Sequence, residues 1–121
     1  MALTKTAQSV QASASNGAGS TTNSNAFDVN YGVSGVAVVT NGGTGPTVGC
    51  DVVVQVSNDG GTTWIEWSRQ TAGTTSSATY RFPFALGIGA GGDWGKYRVQ
   101  FTGNTGQAVT VQADAQTTAN L

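Results

Sequence analysis

The chain runs to 121 residues, one domain on ordinary length, with 9% charged side chains divided into five basic and six acidic. An average globular protein carries roughly 25%; Thr, Ser, Asn, Gln and 18 glycines fill the gap here. Such sparse, balanced charge leaves no electrostatic footprint for nucleic acid, and no apolar run approaches the roughly 20 residues of a membrane span.

There is no histidine, so metal sites built on imidazole and triads with a His base are excluded. Cys50 is the lone cysteine, which rules out an intrachain disulfide. It alternates with Val52 and Val54 and reads as a buried structural thiol made in a reducing cytosol. A polar but nearly uncharged surface suits permanent contacts better than life as a free monomer.

The start, MALTKTAQSV, has one lysine and no apolar h-region, so no secretory signal peptide is expected. A short strand is expected over Leu3 to Val10. The stretch QASASNGAGSTTNSNA, Gln11 to Ala26, holds no large apolar side chain and reads as a linker or extended arm. Residues 1–25 are thus set apart from a sandwich domain of 26–121. Ordering an arm costs about 1–2 kcal/mol per residue, so it is expected to pair through its main chain with a neighbouring subunit or shell, the alternative being that it folds back on its own sandwich.

FDVNY then alternates Phe27, Val29 and Tyr31, and GVAVVTN stops at Asn41-Gly42-Gly43. Val48 to Ser57 places Cys50, Val52, Val54 and Val56 on one face, with Val53 the exception. Trp64 to Gln70 returns along it, which predicts Ile65 and Trp67 in the core. TYRFPFAL alternates Tyr80, Phe82 and Phe84, and Pro83 lacks an amide donor, so this strand is expected at an edge or a bulge. GIGAGGDWG is a glycine-rich loop presenting Asp93 and Trp94. KYRVQFTG buries Tyr97, Val99 and Phe101, and QAVTVQADA buries Val109, Val111 and Ala113. The pattern is all-β: seven or eight strands, mostly antiparallel hairpins, forming an immunoglobulin-like or jelly-roll sandwich with an extended N-terminal arm.

Ser57, Asp59, Gly61, Thr63 and Trp64 fit S-x-D-x-G-x-T-W, the Asp box of sialidase-type propellers. A propeller repeats such a motif over several blades of about 40–50 residues, whereas here it occurs once. The turn is therefore expected to be structural, with Ser57 and Asp59 accepting from its own amides and the glycines relieving its backbone.

Catalytic groups are scarce. Asp51, Asp59, Glu66 and Asp93 are the carboxylates available for a glycosidase pair, and Asp28, Asp51, Asp59 and Asp93 for a calcium ion. No spacing supports either, so no catalytic residue, metal or cofactor is expected. The G-x-G-x-x-G from Gly87 to Gly92 lacks the strand-turn-helix context that cradles phosphate and reads as a loop. Trp64 and Trp94, with Asp93, are the candidate contact residues for a ligand or interface.

Three stretches, MALTKTAQSVQASASN, TGPTVGCDVVVQVSNDGGTTW and YRVQFTGNTGQAVTVQADAQ, together resemble small β-sandwich proteins encoded among the virion structural genes of tailed bacteriophages. That resemblance implies a non-enzymatic virion component: a capsid decoration (cement) protein, a head-fibre subunit or a small tail protein. Its implied partners are the major capsid protein or other virion proteins and copies of itself, after synthesis in the host cytoplasm. The alternative is a carbohydrate-binding module, or an adhesion subunit, that uses exposed tryptophans to bind a glycan.

Overall fold

The computed structural model describes residues 3–29, 32–87 and 95–120. It is all-β, with nine strands in chain order: β1 (Leu3–Asn16), β2 (Thr22–Asn23), β3 (Phe27–Asp28), β4 (Gly32–Asn41), β5 (Asp51–Ser57), β6 (Ile65–Thr71), β7 (Thr79–Gly87), β8 (Lys96–Thr102) and β9 (Val109–Asn120). One antiparallel sheet runs β1-β9-β4-β7; the other runs β2-β8-β5-β6, with β3 also on β8. The two pack face to face as a sandwich.

Pairing nests around one local turn. β5 pairs with β6, β4 with β7, β2 and β3 with β8, and β1 with β9. An immunoglobulin-like sandwich would pair several sequence neighbours, whereas here β5 and β6 are the one neighbouring pair among the described strands. The strand order is that of a jelly-roll. Most ladders are therefore long-range, and the expectation of predominantly local hairpins is corrected.

Alternation builds the core. Val52, Val54 and Val56 of β5 and Tyr97, Val99 and Phe101 of β8 face Val33, Ala37 and Val39 of β4 and Val109, Val111 and Ala113 of β9. Tyr97 packs between Phe27, 6.1 Å away, and Phe84, 6.3 Å away, and its hydroxyl donates to Gln8 Oε1 at 2.8 Å. Cys50 is buried, and burial pushes its thiol up to about 11, which leaves it protonated and unreactive. β7 lies at a sheet edge, as Pro83 requires.

The short strand expected over Leu3 to Val10 is present, and part of the stretch read as an arm beyond it continues that strand on the chain's own sandwich. β1 extends over residues 3–16 and pairs along its length with β9 of the same chain, with register shifts at Ser9/Gln11 and Gln11/Ala14. Its buried positions carry Val10 and Asn16, each 1% exposed. Asn16 Nδ2 donates to Asn104 Oδ1 at 2.6 Å and to Ser20 O, while Asn16 Oδ1 accepts from Thr22 Oγ1 at 2.7 Å. Asn104 Nδ2 returns bonds to the carbonyls of Asn16 and Gln107. Further on, Ser24 exchanges bonds with Val99, amide to carbonyl and amide to hydroxyl, each 2.9 Å. Hydrogen bonds and small side chains fit this stretch onto the sandwich where apolar bulk does not.

The loops at one end interlock. Thr47 N donates to Thr105 O, Ser77 N to Gly42 O, and Asn41 Nδ2 to the carbonyls of Gly73 and Thr75. Gly49 lies so close to the Ala72 carbonyl that a Cβ there would collide with it.

Strand β6 overturns a second expectation. All seven of its residues are exposed, including Ile65 at 47% and Trp67 at 40%. β6 is the free edge of its sheet. A bulge opposite Val54/Gln55 breaks the alternation that had put Ile65 and Trp67 together inside. Val53, the exception in sequence, is fully buried although it lies outside the main core cluster. Its neighbours across the ladders are Arg69 and Gln100, long side chains whose stems shield apolar surface.

Candidate functional site

The turn between β5 and β6 is closed by two side chains. Ser57, which is fully buried, donates from Oγ to Asp59 Oδ1 at 2.7 Å and accepts from Gly61 N at 3.0 Å. Asp59 Oδ1 also accepts from Thr62 N at 3.1 Å and Thr63 N at 2.8 Å. Gly60 and Gly61 hold φ of 76° and 94°, a region that L side chains resist. The Thr63 amide first, then the Ser57 hydroxyl, hold the Asp59 carboxyl down to about 2. Oδ1 of Asp59 is thus engaged within the turn itself.

Trp64 leaves this turn half-buried. The Arg98 guanidinium sits 4.5 Å from its ring centroid, and Arg98 Nε donates to Gln55 Oε1 at 2.7 Å. One face of the indole is thus covered by a cation, which weakens Trp64 as a platform for sugar stacking. Partial burial lowers the pKa of that guanidinium.

Further along the same sheet, Arg69 bridges two acids. It reaches Asp51 Oδ2 at 2.6 Å and Glu66 Oε1 at 2.9 Å, and Thr71 Oγ1 donates to Asp51 Oδ1 at 2.6 Å. The Glu66 contact, then that of Asp51, raises the Arg69 pKa. All three side chains reach solvent, so the network contributes little stability. It does tie up two of the four carboxylates named as candidates for a glycosidase pair, Asp51 and Glu66. Asp28 pairs with Lys96 at 3.0 Å. Among the described residues no group of three or more acids or thiols stands close enough to hold a metal ion.

Of the predicted contact residues, Trp64 belongs to this face, while Asp93 and Trp94 lie outside the described residues. The sequence reading missed Arg98 and Gln55 as partners of that face. Their signal was hidden in the register, which sets Gln55 opposite Arg98 only once β5 and β8 are known to pair. It also missed a shallow concavity of about 570 Å³ on the opposite sheet, where Ala7, Ser9, Ser34, Val36, Asp114 and Gln116 bring small and polar groups together.

No family model matches the chain, and no curated protein matches it in sequence. Solved structures match it in fold. A chain from the infectious bursal disease virus Gt strain overlays with a TM-score of 0.63 at 10% identity, over 98% of this chain and 33% of its own length. The VP2 subviral particle of the same virus gives the same TM-score, identity and coverage. Disulfide-linked pili described as Bacillus endospore appendages overlay with a TM-score of 0.50 at 13% identity, over 98% of this chain and 89% of theirs. The chain spans about a third of the viral chains it resembles, and at these identities the likeness is one of fold.

Proposed function

We propose that this chain is a non-enzymatic structural β-sandwich of a bacteriophage virion, of the capsid-decoration kind. It would be made in the host cytoplasm and held in the particle by the major capsid protein and by copies of itself. The observation that carries the reading is the jelly-roll order of strands combined with a surface whose strongest groups are already spent. Asp59 holds a turn, Asp51 and Glu66 hold Arg69, and Asp28 holds Lys96. Outside these pairs Lys5, Arg81 and Asp114 are exposed charges, and the rest of the described surface is mostly neutral, suited to lasting contact rather than turnover. The likeness of fold to a viral capsid chain supports the same direction. Mass spectrometry of particles purified from the source virus tests it: stoichiometric presence of this chain is expected, and its absence would end the proposal.

A carbohydrate-binding role is the second reading, favoured by the exposed indole of Trp67 beside Ile65 at the free edge. A glycan array would show binding that falls with Trp67→Ala or Trp94→Ala. Binding unchanged by both, or none, removes it.

A further inference from the structure

One regularity runs through every ladder among the described residues. Each pairs a strand of the first half, β1 to β5, with a strand of the second half, β6 to β9. Along both sheets the halves alternate: β1-β9-β4-β7 and β2-β8-β5-β6. Among the described residues no strand of either half finds a strand partner within its own half. A half-chain would therefore present rows of unpaired amides and carbonyls on each of its strands, together with uncovered valines such as Val39, Val52 and Val54. Each half needs the other, and only residues 58–64 connect them.

The complementary half can come from the same chain or from a second copy, because both sources restore the same ladders. Closure within one chain requires the connection to reverse direction between Val56 and Ile65, which oppose each other in register. The Asp-box turn performs that reversal, with Ser57 and Asp59 collecting the amides of Gly61, Thr62 and Thr63. Nothing else in the topology distinguishes the closed chain from a pair that shares halves. We propose that the Asp-box turn is an intramolecular lock, and that the partner this fold accepts when the lock is open is a second copy of the chain, by reciprocal exchange of residues 3–57 and 65–120.

Two experiments on the full chain test this. Deleting Ser57–Trp64 joins Val56 to Ile65, two β-branched residues that resist the positive φ a two-residue return demands. Light scattering after refolding should give a folded dimer, while the parent chain refolded at the same low concentration stays monomeric. The second experiment keeps the turn. Val39→Asp disables the first half and Val99→Asp the second, since each buries a charge at a fully enclosed position. Each variant alone should lack a dispersed amide spectrum. Refolded together, they should regain native dispersion from one lobe of each exchanged pair, the lobe built from the two intact halves. A folded monomer from the deletion overturns the proposal. So does a mixture no better folded than its parts, and that result decides the matter if the deletion variant does not fold.

Discussion

Strands β1 and β6 reverse the ranking that their compositions suggest. Beyond Leu3 and Lys5, β1 is a run of Thr, Gln, Ser, Ala and Asn with one valine, yet it forms a long ladder with β9 and buries Val10 and Asn16. β6 carries Ile65 and Trp67, yet every one of its residues is exposed. Both are edge strands. The difference lies in what stands beneath them. β1 lies over β8, where the Tyr97 hydroxyl meets Gln8, and its end is bolted to Asn104. β6 has no comparable cover, every one of its residues being exposed, and a bulge interrupts its register with β5. Position in the topology, more than apolar content, decides which strand is interior.

That contrast is broken most directly by removing β1. Deleting residues 1–16 strips β9 of one of its two partners, leaving only β4, and removes Val10 from the core beside Val111. The loss should exceed the roughly 3–5 kcal/mol of a large core truncation and abolish cooperative thermal unfolding by circular dichroism. A detachable arm would instead leave the melt unchanged.

Next in size is Asn104→Ala, which removes the anchor at the end of β1 and strands the carbonyls of Asn16 and Gln107. Orphaning buried groups costs about 1–3 kcal/mol for each group left unmet. A loss of roughly 2–4 kcal/mol in urea denaturation is expected.

The turn leading into β6 should respond less. Ser57→Ala forfeits hydrogen bonds at a buried hydroxyl and should cost about 1–2 kcal/mol. Asp59 adds a pH dependence of known sign. Its folded value of about 2 lies below the usual 3.8, so the fold favours the ionised form. Its contribution is present above pH 4 and is lost as pH falls through 2. Urea midpoints measured between these limits should drop for the parent chain and drop less for Asp59→Asn.

The smallest effect belongs to the largest side chain of the two strands. Trp67→Ser should change stability by no more than about 0.5 kcal/mol, as for most surface substitutions. A loss comparable to that of a core tryptophan would mean that β6 is covered in solution.

Much of the fold was legible in the residues. Period-two alternation placed Val52, Val54 and Val56, Tyr97, Val99 and Phe101, and Val109, Val111 and Ala113 correctly in the core, because a strand's two faces meet different surroundings whatever its partner. Pro83 announced an edge, since a missing amide cannot serve a central ladder. The Asp-box turn was readable for the same reason: its hydrogen bonds join residues within seven positions of one another.

What the sequence alone determined is this local chemistry: all-β patterning, the turn and the lack of imidazole. Which strand lies beside which was decided only by tertiary structure. Nested pairing joins Leu3 to Asn120 and Gln55 to Arg98 across spans where no local preference acts. So the polar N-terminal run became a strand, Trp67 was left outside, and Trp64 met Arg98. Alternation tells a side chain which way to face along its own strand, but a neighbouring strand or sheet decides whether that direction leads to core or to water.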